Sequence, residues 1–112
     1  MGPVFIRPEN MVATEMGRIY IGCSDKHLYA LDQRGLFLWS FATYDNIATR
    51  PVLAHNLVIF GSEDRHIYAL DAETGELRWQ YETGGAVVSS PALVRDLIVQ
   101  IVVQKLILAK EP

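Results

Sequence analysis

The chain has 112 residues, a formal net charge of −3 and a single cysteine, and half of its residues are hydrophobic. This length allows one domain, and the hydrophobic fraction is too high for an intrinsically disordered segment. The acidic balance excludes the basic surface that nucleic-acid binding requires. One cysteine excludes an internal disulfide, and no run of about 20 apolar residues is present to insert into a membrane.

The first half of the chain predicts four short strands with turns between them. They are residues 11–14, 18–22, 28–31 and 37–41. These segments are rich in apolar, β-branched and aromatic residues, which favour strands. Asp32 and Gly35 follow the third segment and favour a turn, because Asp bonds its own backbone and Gly tolerates positive φ. We therefore expect one four-stranded antiparallel unit over about residues 9–43, with Trp39 in its last strand.

The second half repeats this arrangement more clearly. The predicted strands are residues 52–54, 57–60, 67–70 and 77–81. Residues 71–75, Asp-Ala-Glu-Thr-Gly, form a turn by the same chemistry. In the strand that follows, Leu77, Trp79 and Tyr81 alternate with polar residues, which is the period of a half-buried strand. This unit covers about residues 47–83, and because an isolated hairpin is marginal in water it must pack on a neighbour.

The two units are copies of one repeat. Asp32 to Asp71 and Trp39 to Trp79 are spacings of 39 and 40 residues. Other matches at these spacings are Gly22 and Gly61, Asp25 and Asp64, Tyr29 and Tyr68, Leu31 and Leu70, Gly35 and Gly75, and Thr43 and Thr83. A period of about 40 that contains only strands indicates a β-propeller with one four-stranded blade per repeat. The sequence thus predicts an all-β chain, a single domain over residues 1–112, with about two to two and a half blades.

A third unit, about residues 87–112, begins well and then loses the pattern. Residues 92–94 and 97–99 match the first two strands of a blade, but Ile101 stands where a glycine equivalent to Gly61 is expected. Residues 102–112 contain no Asp-x-x-Thr-Gly turn and no Trp. They are either a divergent strand pair that caps the array or a truncated and scrambled blade. The abrupt loss of register favours the second alternative.

Residues 69–84 carry a motif that resembles the tryptophan-docking motif of the quinoprotein-type, PQQ-like propeller repeats (PQQ is pyrroloquinoline quinone). The matching positions are Ala69, Asp71, Thr74, Gly75, Glu76, Trp79 and Gly84. The first repeat keeps Ala30 and Trp39 but lacks the threonine and has Tyr44 in place of the last glycine. The resemblance covers residues 18–97 and implies that the motif is structural, with each Trp held between adjacent blades. It implies an inter-blade docking role for Ala30, Trp39, Ala69, Asp71, Thr74, Gly75, Trp79 and Gly84.

No residue pattern predicts a catalytic, cofactor-binding or metal-binding set. His27 and His66 are repeat-equivalent, but a polar residue at the start of a strand explains them better than a metal-binding ring does. Asp32 and Asp71 are interpreted as turn caps. Arg50, Ser89 and Ser90 precede the innermost strands, which lie near the channel of a propeller, so they are the candidates for channel-side contacts.

Two functions compete at this point. The first is a non-catalytic scaffold, or a protein- or ligand-binding module without cofactor, whose partners are neighbouring blades, further copies of the chain or another protein. Two blades and a piece do not close a ring of about 4 to 8 blades, so self-association is expected. The second is a fragment of a PQQ-dependent oxidoreductase whose PQQ and calcium ligands lie on missing blades. The first residues show no signal-peptide pattern, which places the chain in the cytoplasm by default, although the resemblance implies parents that are often periplasmic or extracellular.

Overall fold

The computed structural model describes residues 11–14, 16–88, 90, 92–94, 97–102 and 105–110. These residues form eleven β-strands, and no helix able to cross a membrane is found among them. The strands are β1 Met11–Ala13, β2 Ile19–Gly22, β3 His27–Leu31, β4 Phe37–Ala42, β5 Val52–Ala54, β6 Leu57–Ser62, β7 His66–Asp71, β8 Leu77–Glu82, β9 Ala92–Val94, β10 Leu97–Val102 and β11 Lys105–Lys110.

The first eight strands make two blades, each a four-stranded antiparallel sheet with its strands in chain order. We call β1–β4 blade 1 and β5–β8 blade 2. Both blades have the same register shift between the third and fourth strands, at Ala30/Leu31 and at Ala69/Leu70. The predicted all-β fold with four-stranded blades is confirmed, and the strands lie within two residues of the predicted bounds in both blades.

The third sheet has the order β11-β10-β9 and three strands among the described residues. β10 pairs with β11 from Leu97 to Val102 without a break. The last part of the chain, for which the sequence left two alternatives, therefore contains a strand pair. By register, β11 stands where β7 stands in blade 2.

The core consists of two apolar layers on opposite sides of blade 2, because successive residues of a strand face opposite ways. The layer between the blades contains Tyr20, Leu28, Ala30, Trp39, Ile47, Val58, Phe60, Tyr68, Leu70 and Ala72. The layer on the far side contains Ala54, Ile59, Ile67, Ala69 and Val87, with Leu57 and Trp79 packed against it. Blade 2 is therefore buried on both faces, which explains the nearly continuous apolar sequence of β6 and β7.

In the second strand of each blade, an apolar side chain packs directly against one glycine. This side chain comes from the segment that follows the blade, which we call its connector. A Cβ on Gly22 would lie 2.3 Å from Cγ2 of Ile47, and a Cβ on Gly61 would lie 2.1 Å from Cγ1 of Val87. Neither distance is possible between real atoms, so only glycine admits the connector. Ile47 and Val87 are almost fully buried at these positions.

Candidate functional site between the blades

Trp39 is the centre of the contact between the two blades. It lies in β4, opposite Ala30, and is 9% exposed. Its ring lies against Gly75 in the last turn of blade 2: a Cβ on Gly75 would come within 2.5 Å of Cδ2 of Trp39. Gly75 also has φ of +77°, so conformation and space both require glycine there. Tyr20 packs beside Trp39, with the ring centroids 5.8 Å apart.

Asp71 holds the turn on which Trp39 rests. Its Oδ1 accepts hydrogen bonds from the backbone N–H groups of Glu73 and Thr74, at 2.9 and 3.1 Å. Its Oδ2 accepts a charge-assisted bond of 2.7 Å from the Arg78 guanidinium. The Arg78 bond and the two backbone bonds lower the pKa of Asp71 to about 2. The structure thus gives this carboxylate the turn-capping contacts that the sequence predicts.

Hydrogen bonds join the blades at both ends of the contact. The Ala72 carbonyl accepts from the Tyr20 hydroxyl at 2.7 Å and from Nη1 of Arg18 at 3.2 Å. At the opposite end, Oδ2 of Asp64 accepts from the N–H of Tyr44 at 3.0 Å. Burial raises the pKa of Tyr20, while the neighbouring Arg18 opposes that rise. These bonds fix blade 2 against blade 1 through the main-chain carbonyl of Ala72 and the side-chain carboxylate of Asp64, both in turns of blade 2.

Repeated threonines hold the connectors that follow each blade. The Thr43 hydroxyl lies between the carbonyls of Lys26 and Asp45, at 2.9 and 2.7 Å, and its one proton is available to either. The Thr83 hydroxyl lies in the same way between the carbonyls of Arg65 and Gly85. The match of Thr43 with Thr83 was visible in the sequence, but a hydroxyl that lies between two carbonyls has no local sequence pattern. The role of these threonines was therefore missed.

An Asp-x-His-x-Tyr cluster occurs once in each blade. The Tyr29 hydroxyl donates to Asp25, and Nδ1 of His27 lies 2.9 Å from the Asp25 carbonyl. Since a carbonyl only accepts, this nitrogen carries the proton. The bond to Asp25 raises the pKa of Tyr29 to about 12. The same contacts recur at Asp64, His66 and Tyr68. Within the described ranges no group of three or more potential metal ligands occurs, and the contacts seen are those of a turn.

Among the described residues, none covers the other side of blade 1 as blade 1 covers blade 2. Each of three partly exposed residues there has a buried counterpart in blade 2. The pairs are Ile19 and Val58, Tyr29 and Tyr68, and Leu31 and Leu70. Phe37, which pairs with Leu31, is 61% exposed. No described atom lies within 4 Å of a Cβ built on Gly35, the counterpart of Gly75. We call Ile19, Tyr29, Leu31, Gly35 and Phe37 the open face of blade 1.

The residues with a predicted docking role are divided among several places. Ala30, Trp39 and Gly75 meet at the contact between blades, whereas Ala69 and Trp79 lie on the far side of blade 2. The buried indole N–H groups of Trp39 and Trp79 have no acceptor in the described part of the chain.

Two other docking candidates stand apart from that contact. Thr74 is exposed, and its hydroxyl accepts from the Glu76 N–H at 3.2 Å. Gly84 has φ of +81° and open space around it.

The structure brings two of the three channel-side candidates together. The N–H of Arg50 donates a 2.7 Å hydrogen bond to Oγ of Ser90. Ser89 lies outside the described residues. Arg50 and Ser90 precede successive innermost strands, β5 and β9, so this bond links two neighbouring connectors. The Arg50 side chain is exposed.

A cleft of about 400 Å³ opens at the end of the contact where Ala72 lies. One wall is the connection between β1 and β2, which is longer than the two-residue connection, His55 and Asn56, between β5 and β6. The lining residues are Thr14, Met16, Arg18, Tyr20, Leu53, Ala54, His55, Asn56, Leu57, Ala72 and Glu73. The lining thus combines apolar side chains with polar ones and includes both signs of charge, in Arg18 and Glu73.

The comparisons with known proteins agree on the fold. A PQQ-repeat family model described as the outer membrane protein assembly factor BamB matches residues 7–111. The human beta-alanine-activating enzyme is 27% identical over an alignment of 89 residues, and the match covers 73% of this chain and 8% of that protein. BamB from Moraxella catarrhalis has a TM-score of 0.75 at 20% identity, over 88% of this chain and 31% of that chain. The computationally designed Ika4 protein has a TM-score of 0.80 at 16% identity, over 91% of this chain and 64% of that chain. This chain therefore spans less than two thirds of each of these proteins.

Proposed function

Because the chain belongs to the PQQ-repeat family described as the outer membrane protein assembly factor BamB, we propose that it is a non-catalytic propeller unit that binds further blades and protein partners. The single observation that carries this proposal is the open face of blade 1. It has the residue types of the blade 2 face that packs on Trp39, but no described residue covers Gly35.

The blade contact already present indicates what this face would bind. On blade 2 the same face is covered by an aromatic and aliphatic surface with a Trp at its centre. Burial of apolar surface is worth about 25 cal/mol per Å², so an uncovered blade face favours association. A second copy of this chain is the occupant that we propose first, since it supplies propeller blades without any other protein.

A protein-binding role also agrees with the name of the family, which is that of an assembly factor. The human relative is named as an enzyme, but the matching segment is 8% of that protein. The oxidoreductase alternative places its PQQ and calcium ligands on missing blades, so the contacts within this chain do not test it. A fold of this kind hosts many functions, so the interaction experiment is the direct test.

The test is the native mass in solution, measured by light scattering across a dilution series, for the wild type and two variants. Phe37→Ser removes an apolar group from the open face, and Val88→Ser removes one with 58% exposure from a connector elsewhere. We expect a discrete oligomer with about 4 to 8 blades in total, weakened by Phe37→Ser and unchanged by Val88→Ser. A folded monomer at every concentration would contradict self-association. A rise in melting temperature with PQQ and calcium would instead support the oxidoreductase.

A further inference from the structure

We propose that the cleft beside Ala72 binds a neutral peptide segment of a partner protein, with one aliphatic side chain inserted into it. This inference rests on the proposed protein-binding function and locates a site for it. The cleft lies at the junction of two blades, and none of its lining residues belongs to the open face of blade 1. Its volume of about 400 Å³ lies within the roughly 300–1,000 Å³ that is usual for ligand clefts.

The walls of the cleft are held in place by hydrogen bonds. The Thr14 hydroxyl accepts from the N–H groups of Met16 and Arg18, both at 3.2 Å, which orders the longer connection of blade 1. Arg18 is in turn bonded to the Ala72 carbonyl of blade 2. The Ala72 N–H donates to the Asn56 carbonyl at 2.9 Å, which ties together the two turns of blade 2. A site with fixed walls loses little conformational entropy when a ligand binds.

The lining selects an apolar group. Met16, Leu53 and Leu57 contribute aliphatic surface to the lining, and Met16 is 73% exposed. Methionine is flexible and polarizable, so it adapts to the shape of an inserted side chain. Such exposure of a large apolar side chain is unfavourable in water and is relieved when a ligand covers it.

The charged side chains of the described lining select a neutral peptide rather than an ion. Among these lining residues Arg18 and Glu73 carry opposite charges, so neither a cationic nor an anionic ligand is attracted by both. The two charges suit the two ends of a peptide dipole: the guanidinium has further N–H donors for a carbonyl, and the carboxylate accepts from an N–H. An aliphatic residue within a polypeptide supplies both groups together with the side chain for the apolar part of the lining.

The experiment is an NMR titration of the full chain with ¹³C-labelled methyl groups. The probe is N-acetyl-leucine N-methylamide, and N-acetylglycine N-methylamide is the matched probe without a side chain. We expect the leucine probe to shift the methyl signals of Met16 and Leu57 saturably and to leave those of Ile67, on the far side of blade 2, unchanged. The glycine probe should shift none of them. Met16→Gln should weaken binding about fivefold through lost apolar contact, and Val88→Gln, remote from the cleft, should not.

The inference is overturned if the leucine probe gives no saturable shift, if the glycine probe shifts the same signals equally, or if both variants weaken binding alike. Light scattering on the same samples separates the two proposals. Normal self-association without a leucine-dependent shift would refute the peptide site and would still support the proposed function. A leucine-dependent shift in a protein that stays monomeric would support the peptide site and refute self-association.

Discussion

Gly75 and Gly35 offer a matched pair of substitutions that isolates the contact between the blades. Both glycines have positive φ, +77° and +83°, in equivalent turns. An alanine at either position is strained by its backbone conformation, at a cost of roughly 1–2 kcal/mol. At Gly75 the new Cβ would also stand within 2.5 Å of the Trp39 ring, whereas at Gly35 it meets no described atom within 4 Å.

The expected difference follows from these two distances. Forcing a methyl group into a filled contact costs about 1–3 kcal/mol beyond the strain. Gly75→Ala should therefore lower the free energy of unfolding by about 2–5 kcal/mol and Gly35→Ala by about 1–2 kcal/mol. The extra loss comes from the clash between the new methyl group and Trp39. In a Trp39→Ala background, Gly75→Ala and Gly35→Ala, each made separately, should therefore lower the free energy of unfolding by equal amounts.

The assay is urea denaturation followed by circular dichroism, at a protein concentration low enough to keep the association state constant. Equal losses for Gly75→Ala and Gly35→Ala would refute the reasoning, because the clash with Trp39 would then have no energetic consequence. A difference that persists in the Trp39→Ala background would mean that another group, and not the indole, occupies the space above Gly75.

Four further outcomes are expected. Trp79→Ala should cost less than the roughly 3–5 kcal/mol of a fully buried Trp, because this ring is only partly buried; a larger loss in urea denaturation would mean that another surface covers it. Gly61→Ala should lower the free energy of unfolding by about 1–3 kcal/mol. Adding Val87→Ala should recover part of that loss, because the new methyl group and the Val87 side chain compete for one space. If the losses of the two single variants simply add in the double variant, the contact is contradicted. The folded-state pKa of Asp71, about 2, lies below the ordinary value of 3.8. The contribution of this carboxylate to stability is therefore complete above about pH 4 and is lost as the pH falls towards 2. Asp71→Asn should remove that part of the acid transition when unfolding is measured against pH. Burial raises the pKa of Cys23 to about 11, so at pH 8 the native thiol should react with iodoacetamide far more slowly than the unfolded thiol, and equal rates would show that it is not buried.

The elements of this fold could be predicted because their signals are local. The alternation of Leu77, Trp79 and Tyr81 gives a strand whatever it packs against, and Asp71 caps the turn that follows its own strand through bonds to residues two and three positions ahead. The repeat then extended these assignments from one blade to the other. The pair of strands β10 and β11 is the exception, because the repeat pattern fails there and only the structure shows that these two strands pair.

The contact between the channel-side candidates was harder to predict, because its two residues belong to different repeats. The sequence put Arg50 and Ser90 at equivalent places, but equivalence does not state contact. The 2.7 Å bond between them depends on how one blade is placed beside the next.

Taken by itself, the sequence determined the strands and turns of the two blades and the period of the repeat, because period-2 alternation and turn chemistry act within a few residues. Tertiary structure decided which surfaces meet. Trp39 rests on Gly75, 36 positions along the printed sequence, and Arg18 and Tyr20 bond to the carbonyl of Ala72, whose side chain gives no sign of this. Contacts of this kind depend on the distance and angle between two packed sheets. This geometry decides where there is room only for a glycine, where a valine fits and where a cleft is left open, and no local sequence pattern encodes it.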